Sequence, residues 1–158
     1  LQSLSGLRGL AGALPGGLSI KNATQLASLD GLENITTIGK NGAGNSIWLE
    51  QMPSLQSLSG LRGLAGALPG GLSIKNATQL ASLDGLENIT AIGQDNYGDS
   101  ILINSVPTLQ SLSGLRGLAG ALPGGLSIMG ATQLASLDGL ENITTIGKNE
   151  SGDSIWLE

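Results

Sequence analysis

The chain has 158 residues, 40% of them apolar, 12% charged and 2% aromatic, with a net charge of −5. Its seven Lys and Arg are scattered, which excludes the clustered basic surface that nucleic acid requires. There is no Cys for a disulfide framework or thiolate metal site, and no His to serve as general base or metal ligand.

The length permits a substantial core, but Phe is absent, so that core has to be built from Leu and Ile. Twenty-six glycines are too many for long helices, each costing about 1 kcal/mol relative to Ala. No apolar run approaches the ~18 residues of a membrane span. The chain opens at Leu1 rather than Met, with no signal peptide, and is read as a fragment of a longer array.

In chain order, the first stretch is "LQSLSGLRGLAGALPGGLSI", which starts at Leu1 and returns at Leu55 and Leu109. The period is 54 residues, dividing the chain into repeats 1–54, 55–108 and 109–158 of a single solenoid domain. Within it, L-x-x-L-x-x-L-x-x-L has a period of three, which suits neither a flat strand nor an α-helix. It predicts an extended or turning segment with every third side chain inward. "GALPGG" breaks any helix, and Leu18-Ser19-Ile20 alternates as a short strand. "LASLDGLENITTIG" from Leu26 repeats the opening pattern, and after a Gly/Asn-rich loop Ile47-Trp48-Leu49 closes it with a second strand. The half-units are 25 and 29 residues long, giving six coils that begin at Leu1, Leu26, Leu55, Leu80, Leu109 and Leu134. One coil cannot bury its own apolar face, whereas stacked coils can. Parallel strands about 4.8 Å apart predict a rod of roughly 29 Å.

"LDGLENITTIG", followed after a loop by "SIWLE", resembles the repeats of receptor L-domain-type leucine-rich proteins. "LAGALPGGLSI" is similar to the L-x-G-x-[IL]-P-x-x-L phrase of plant-type leucine-rich repeats. The resemblance covers the whole chain and implies a right-handed, mainly β solenoid used in protein or carbohydrate recognition, usually outside the cell. The chain departs from the family in lacking cysteine caps and in its strict two-coil alternation. No ligand-binding motif of the family matches it.

Equivalent positions stack into columns. Gly6, Gly31, Gly60, Gly85, Gly114 and Gly139 form one, predicting a backbone with φ > 0 or a contact too close for a Cβ. Ser3, Ser28, Ser57, Ser82, Ser111 and Ser136 form another, read as hydroxyls bonded to each other and to nearby backbone, or as an ordered array for water or sugar. Arg8, Glu33, Arg62, Glu87, Arg116 and Glu141 alternate in sign, so that a slip by one coil sets like against like; Lys21, Glu50 and Lys75 start a second such column. Ser19, Trp48, Ser73, Leu102, Ser127 and Trp156 alternate small and large on an outward face. Trp48, Leu102 and Trp156 are read either as a contact surface or as large side chains lying over small neighbours.

The long loops share the form [ND]-x-x-G-[ND]-S, which is turn chemistry rather than a Ca²⁺ loop, because one of the three contains no carboxylate. Sequons at Asn22, Asn34, Asn76, Asn88, Asn142 and Asn149 would be glycan acceptors in a secreted eukaryotic protein. No convergent catalytic constellation, metal site or cofactor motif is visible, so the expected function is non-enzymatic. It is an extracellular or cell-surface structural or adhesive array, assembling with copies of itself end to end into filaments. The alternative is a recognition module for protein or polysaccharide. Ice binding ranks below both, since Thr24 and Thr78 alternate with Pro53 and Pro107.

Overall fold

The computed structural model describes residues 1–158 and is built almost entirely of short strands and turns. In chain order the strands are β1 (Gly12–Leu14), β2 (Leu18–Lys21), β3 (Ile35–Ile38), β4 (Asn45–Glu50), β5 (Gly66–Leu68) and β6 (Gly71–Lys75). They continue with β7 (Ile89–Ile92), β8 (Asp99–Asn104), β9 (Gly120–Leu122), β10 (Gly125–Met129), β11 (Ile143–Ile146) and β12 (Ile155–Leu157). Three 3-10 turns lie at Ser5–Leu7, Ser59–Leu61 and Ser113–Leu115, and there is no α-helix. No helix is long and apolar enough to cross a membrane.

The even-numbered strands, one from each coil, form a single six-stranded sheet in the order β12-β10-β8-β6-β4-β2. Every pairing in it is parallel. The molecule is therefore a mainly β, parallel-strand solenoid of six turns. The odd-numbered strands pair only within a repeat, as β1-β3, β5-β7 and β9-β11, and form a second, interrupted sheet. These short strands are absent from the sequence reading, since "GAL" carries no alternation to reveal them.

The leucine period of three has a direct structural cause. Successive leucines are linked by i to i+3 backbone bonds: the Leu61 N–H donates to Leu58 O at 2.8 Å, and the Leu64 N–H to Leu61 O at 2.9 Å. Such turns carry about three residues per turn, so every third side chain falls on one side. Leu55, Leu58, Leu61 and Leu64 are all buried, as are Leu80, Leu83, Leu86 and Ile89 in the next coil. With the inward residues of the main sheet they form one continuous apolar core.

The glycine column answers two needs, a close backbone approach in every coil stacked on another and, in the long coils, a positive φ as well. Gly31, Gly85 and Gly139 in the long coils have φ of +113°, +113° and +110°. Gly60 and Gly114 in the short coils do not, but a Cβ on either would fall 2.1–2.2 Å from a leucine carbonyl oxygen of the coil below. Gly6, with no coil beneath it, meets nothing within 4 Å. A second column marks the corner after the main sheet, where Asn22, Gln51, Asn76 and Ser105 all take φ of +55° to +58°. Their N–H groups continue the ladder into the next coil, as from Gln51 to Lys75 O at 3.0 Å.

Candidate functional site

The outer face of the main sheet carries the column of alternating small and large residues. Its register is Ser19↔Trp48↔Ser73↔Leu102↔Ser127↔Trp156, one residue per strand. Trp48 and Trp156 have different surroundings. The Lys21 Nζ sits 3.1 Å from the centroid of the Trp48 ring, and the Lys75 Nζ lies 5.9 Å away. Trp48 is half-buried, its Nε1 is enclosed without a hydrogen-bond partner, and Ser73 beside it is buried. Trp48 thus lies over its small neighbours. Trp156 is 43% exposed, because β12 is the edge strand of the sheet and is flanked on one side only, and the position held by Lys21 in the first repeat is Met129 in the third.

Beside Trp156 the face opens into a cavity of about 280 Å³. Its floor is β10 at Ser127, and its flanks are Leu102 on β8 and Trp156 on β12. Tyr97 and Glu150, from two successive long loops, form the rim. Trp48 becoming Leu102 in the second repeat removes the large side chain that would occupy this space.

The long loops are closed by their own side chains. The Oδ1 of Asp95 accepts the N–H of Tyr97 at 2.9 Å and of Asp99 at 3.0 Å; Asn41 does the same for Ala43 and Asn45. These are side-chain-closed turns, and no group of three acidic side chains comes together to hold a metal ion. The loops also stack over the intervening coil, with the Asn96 N–H on Ala43 O at 3.0 Å and the Glu150 N–H on Tyr97 O at 2.9 Å.

Asp99 projects from this stack into the cavity wall. Its Oδ1 accepts from the Ser127 hydroxyl at 2.9 Å and the Asn149 amide at 3.4 Å. Burial pushes its carboxyl above the usual range, nearby Asp95 adds to the rise, and the two hydrogen bonds and Lys75 oppose it.

The other expected columns resolve differently. Each column serine turns on its own segment: Ser57 Oγ accepts the Ser59 N–H at 3.0 Å and Ser111 Oγ the Ser113 N–H at 2.9 Å. The Glu33 carboxylate is taken up chiefly by backbone, its Oε2 accepting the Gly31 N–H at 2.9 Å; Glu87 does the same with Gly85. Hydrogen bonds from its own amide and from Gly31 hold the Glu33 carboxyl below the usual range, with Arg62 and Arg8 adding smaller attractions from either side. Glu141 is lowered likewise, first by the Gly139 amide. The sign alternation with Arg8, Arg62 and Arg116 is thus a secondary effect on carboxylates already committed to glycine amides, and those amides need the glycine backbone.

Among the sequon asparagines, Asn22, Asn34, Asn88 and Asn142 are exposed and Asn76 is half-buried. Asn149 is buried and closes its loop by accepting the Asp153 N–H at 2.9 Å, so in the folded chain it is a structural residue and not a free acceptor.

The residues around the cavity that the sequence reading passed over are Tyr97, Asp99 and Glu150; Met129 and Asn104 stand out in the sequence only as interruptions of the second charge column. A signal for them exists. Fourteen of the 54 repeat positions vary between repeats, yet ten of the eleven residues around the cavity stand at varying positions, Ser127 being the exception. Comparisons of the chain with protein-family models, with curated proteins and with solved structures return no match.

Proposed function

We propose that the chain is a non-enzymatic structural or adhesive array of the leucine-rich, right-handed type, working outside the cell and extending by stacking one solenoid end on another. The observation that carries this reading is that the leucines of each coil are buried by the coil stacked on it. Leu7 and Leu10 in the first coil are each 41% exposed, whereas their equivalents Leu61 and Leu64 are buried. At the other end Leu126, Leu137, Leu140 and Ile143 line an open apolar hollow. The cover that fits either surface is another coil of the same kind, because inner coils bury the same residues in that way. Charge agrees with shape: the first coil presents Arg8 and Lys21, and the last presents Glu141 and Glu158. A contact between two different faces does not close on itself and produces open filaments.

Sedimentation velocity over a concentration series at low and high NaCl tests it. Mass that grows with concentration, and grows less when salt screens the charged part of the contact, supports the reading. A single monomer boundary at every concentration refutes it for this chain.

A further inference from the structure

We infer that the cavity between Leu102 and Trp156 is a binding site for a neutral polyhydroxylated ligand, a single pyranose ring or one unit of a glycan. This goes beyond end-to-end assembly and does not rest on it.

Three observations converge. First, the two tryptophans differ in what stands over them. In the first repeat the indole of Trp48 is occupied by the Lys21 ammonium at 3.1 Å. In the third repeat the same position carries Met129, which brings no ammonium to the ring, and Trp156, on the edge strand β12, borders an open cavity. Second, the departures from an otherwise copied sequence gather around this one space. Leu1 to Thr36 is repeated letter for letter at Leu55 to Thr90. Leu102, Asn104, Met129 and Glu150 all break the pattern, and all meet here. A change needed only for coil stacking would have no reason to converge on an outward-facing hollow.

Third, the chemistry of the wall selects the ligand class. Tyr97 and Trp156 are both exposed at its border and offer flat apolar surfaces with a polar tip. Around them Lys75 supplies donors, Asp99 and Glu150 supply acceptors, and Asn104 supplies both. An ammonium ligand would be drawn by Asp99, Glu150 and the rings but would leave the donors of Lys75 and Asn104 unused, and the butylammonium arm below tests it. A carboxylate or phosphate would be opposed by Asp99 and Glu150. A ring with apolar C–H faces and hydroxyls that both donate and accept uses the whole set. The volume, about 280 Å³, lies at the small end of ligand sites and suits one ring rather than a peptide.

The test is a titration of the ¹⁵N-labelled chain with a panel of methyl hexopyranosides and N-acetylglucosamine to about 50 mM, with n-butylammonium chloride as a parallel arm. A single ring on one aromatic face is expected to bind near about 1 mM. Saturable amide shifts at Tyr97, Leu102, Met129 and Glu150, and at the Trp156 indole N–H but not that of Trp48, are the expected result. Met129→Lys is the decisive variant. It restores the residue that both other repeats carry, keeps the fold, and is expected to weaken sugar binding at least tenfold by occupying the Trp156 ring. Equal shifts at both indoles, saturation by butylammonium alone, or undiminished binding by Met129→Lys would overturn the assignment. So would the absence of saturable shifts with every sugar. The readout is taken at concentrations where the chain sediments as a single species, so failure here leaves the stacking proposal standing, and the reverse holds too.

Discussion

Replacing the column glycines with alanine, one at a time, separates the two roles that this column plays. At Gly85 a methyl group meets two penalties. The backbone φ of +113° is one that an L-residue resists, at about 1–2 kcal/mol. The added carbon would also fall 2.2 Å from Leu58 O, a rigid backbone atom, and such overpacking costs about 1–3 kcal/mol. Together they predict a loss of about 2–5 kcal/mol. Gly60→Ala meets only the second, with Leu29 O at 2.1 Å, and is expected to lose about 1–3 kcal/mol. Gly6→Ala meets neither and gains the entropy advantage of Ala, so it should change stability by less than about 1 kcal/mol, in the stabilising direction. Urea titrations followed by far-UV circular dichroism would rank the three as Gly6, then Gly60, then Gly85, from harmless to severe. Amide exchange resolved by coil would guard against non-two-state unfolding of a repeat array. Equal losses at Gly6 and Gly85, or a loss below about 0.5 kcal/mol at Gly85, would refute the stacking geometry on which this reasoning rests.

Further predictions concern the corner column, the acidic residues and the sequons. Gln51→Gly, which relieves a left-handed residue at φ 56° on an exposed corner, is expected to stabilise the chain by up to about 1 kcal/mol; a lower urea midpoint would contradict this. Asp99 has a raised carboxyl pKa, so the folded state holds that proton more tightly than the unfolded state and stability falls as pH rises through the folded value. Asp99→Asn, the residue type that the first repeat carries at this position, should therefore raise the urea midpoint at pH 7, with the gap closing toward about pH 3. Glu33 has the opposite sign: its lowered pKa contributes stability above the unfolded carboxylate range that is lost as pH falls through the folded value. Glu33→Gln should flatten the acid limb of the stability curve, and an unchanged limb would dispose of the backbone amides of Glu33 and Gly31 as the cause. In a secreted eukaryotic expression system, peptide mapping should find Asn149 unglycosylated while exposed Asn34 and Asn88 are available; a glycan on Asn149 in the folded protein would contradict its buried, loop-closing role.

The sequence makes the coil boundaries, the main-sheet strands and the outward column legible for one reason. Tandem copies turn a weak local pattern into a column, and Ser19, Trp48 and Ser73 fall in register as the alignment of the repeats requires. The glycine column is legible as a need for glycine, but the carbonyl that approaches both Gly60 and Gly85, and the positive φ that Gly85 has in addition, depend on how the coils stack. The second sheet stays hidden because Gly12–Leu14 is three residues long and takes its strand form from β3. Charge alternation along Arg8, Glu33 and Arg62 overstates the ion pairing, since a Glu two residues after a Gly can fold back on that glycine's amide, a local option that column reading does not register. The cavity escapes for a related reason. Reading down columns rewards what is constant, and Leu102, Met129 and Glu150 mark the site by breaking the pattern.

The most direct test of the assembly proposal uses two end-blocked chains. Leu10→Glu places a charge on the exposed apolar surface of the first coil, and Leu140→Glu does so on that of the last. Each variant alone retains one competent end with nothing to receive it, so each should sediment as a monomer of about the 15.8 kDa chain mass. Mixed in equal amounts, the two should form a one-to-one dimer through the unmodified faces and grow no further. A mixture that remains monomeric, or a single variant that still polymerises, would contradict the account.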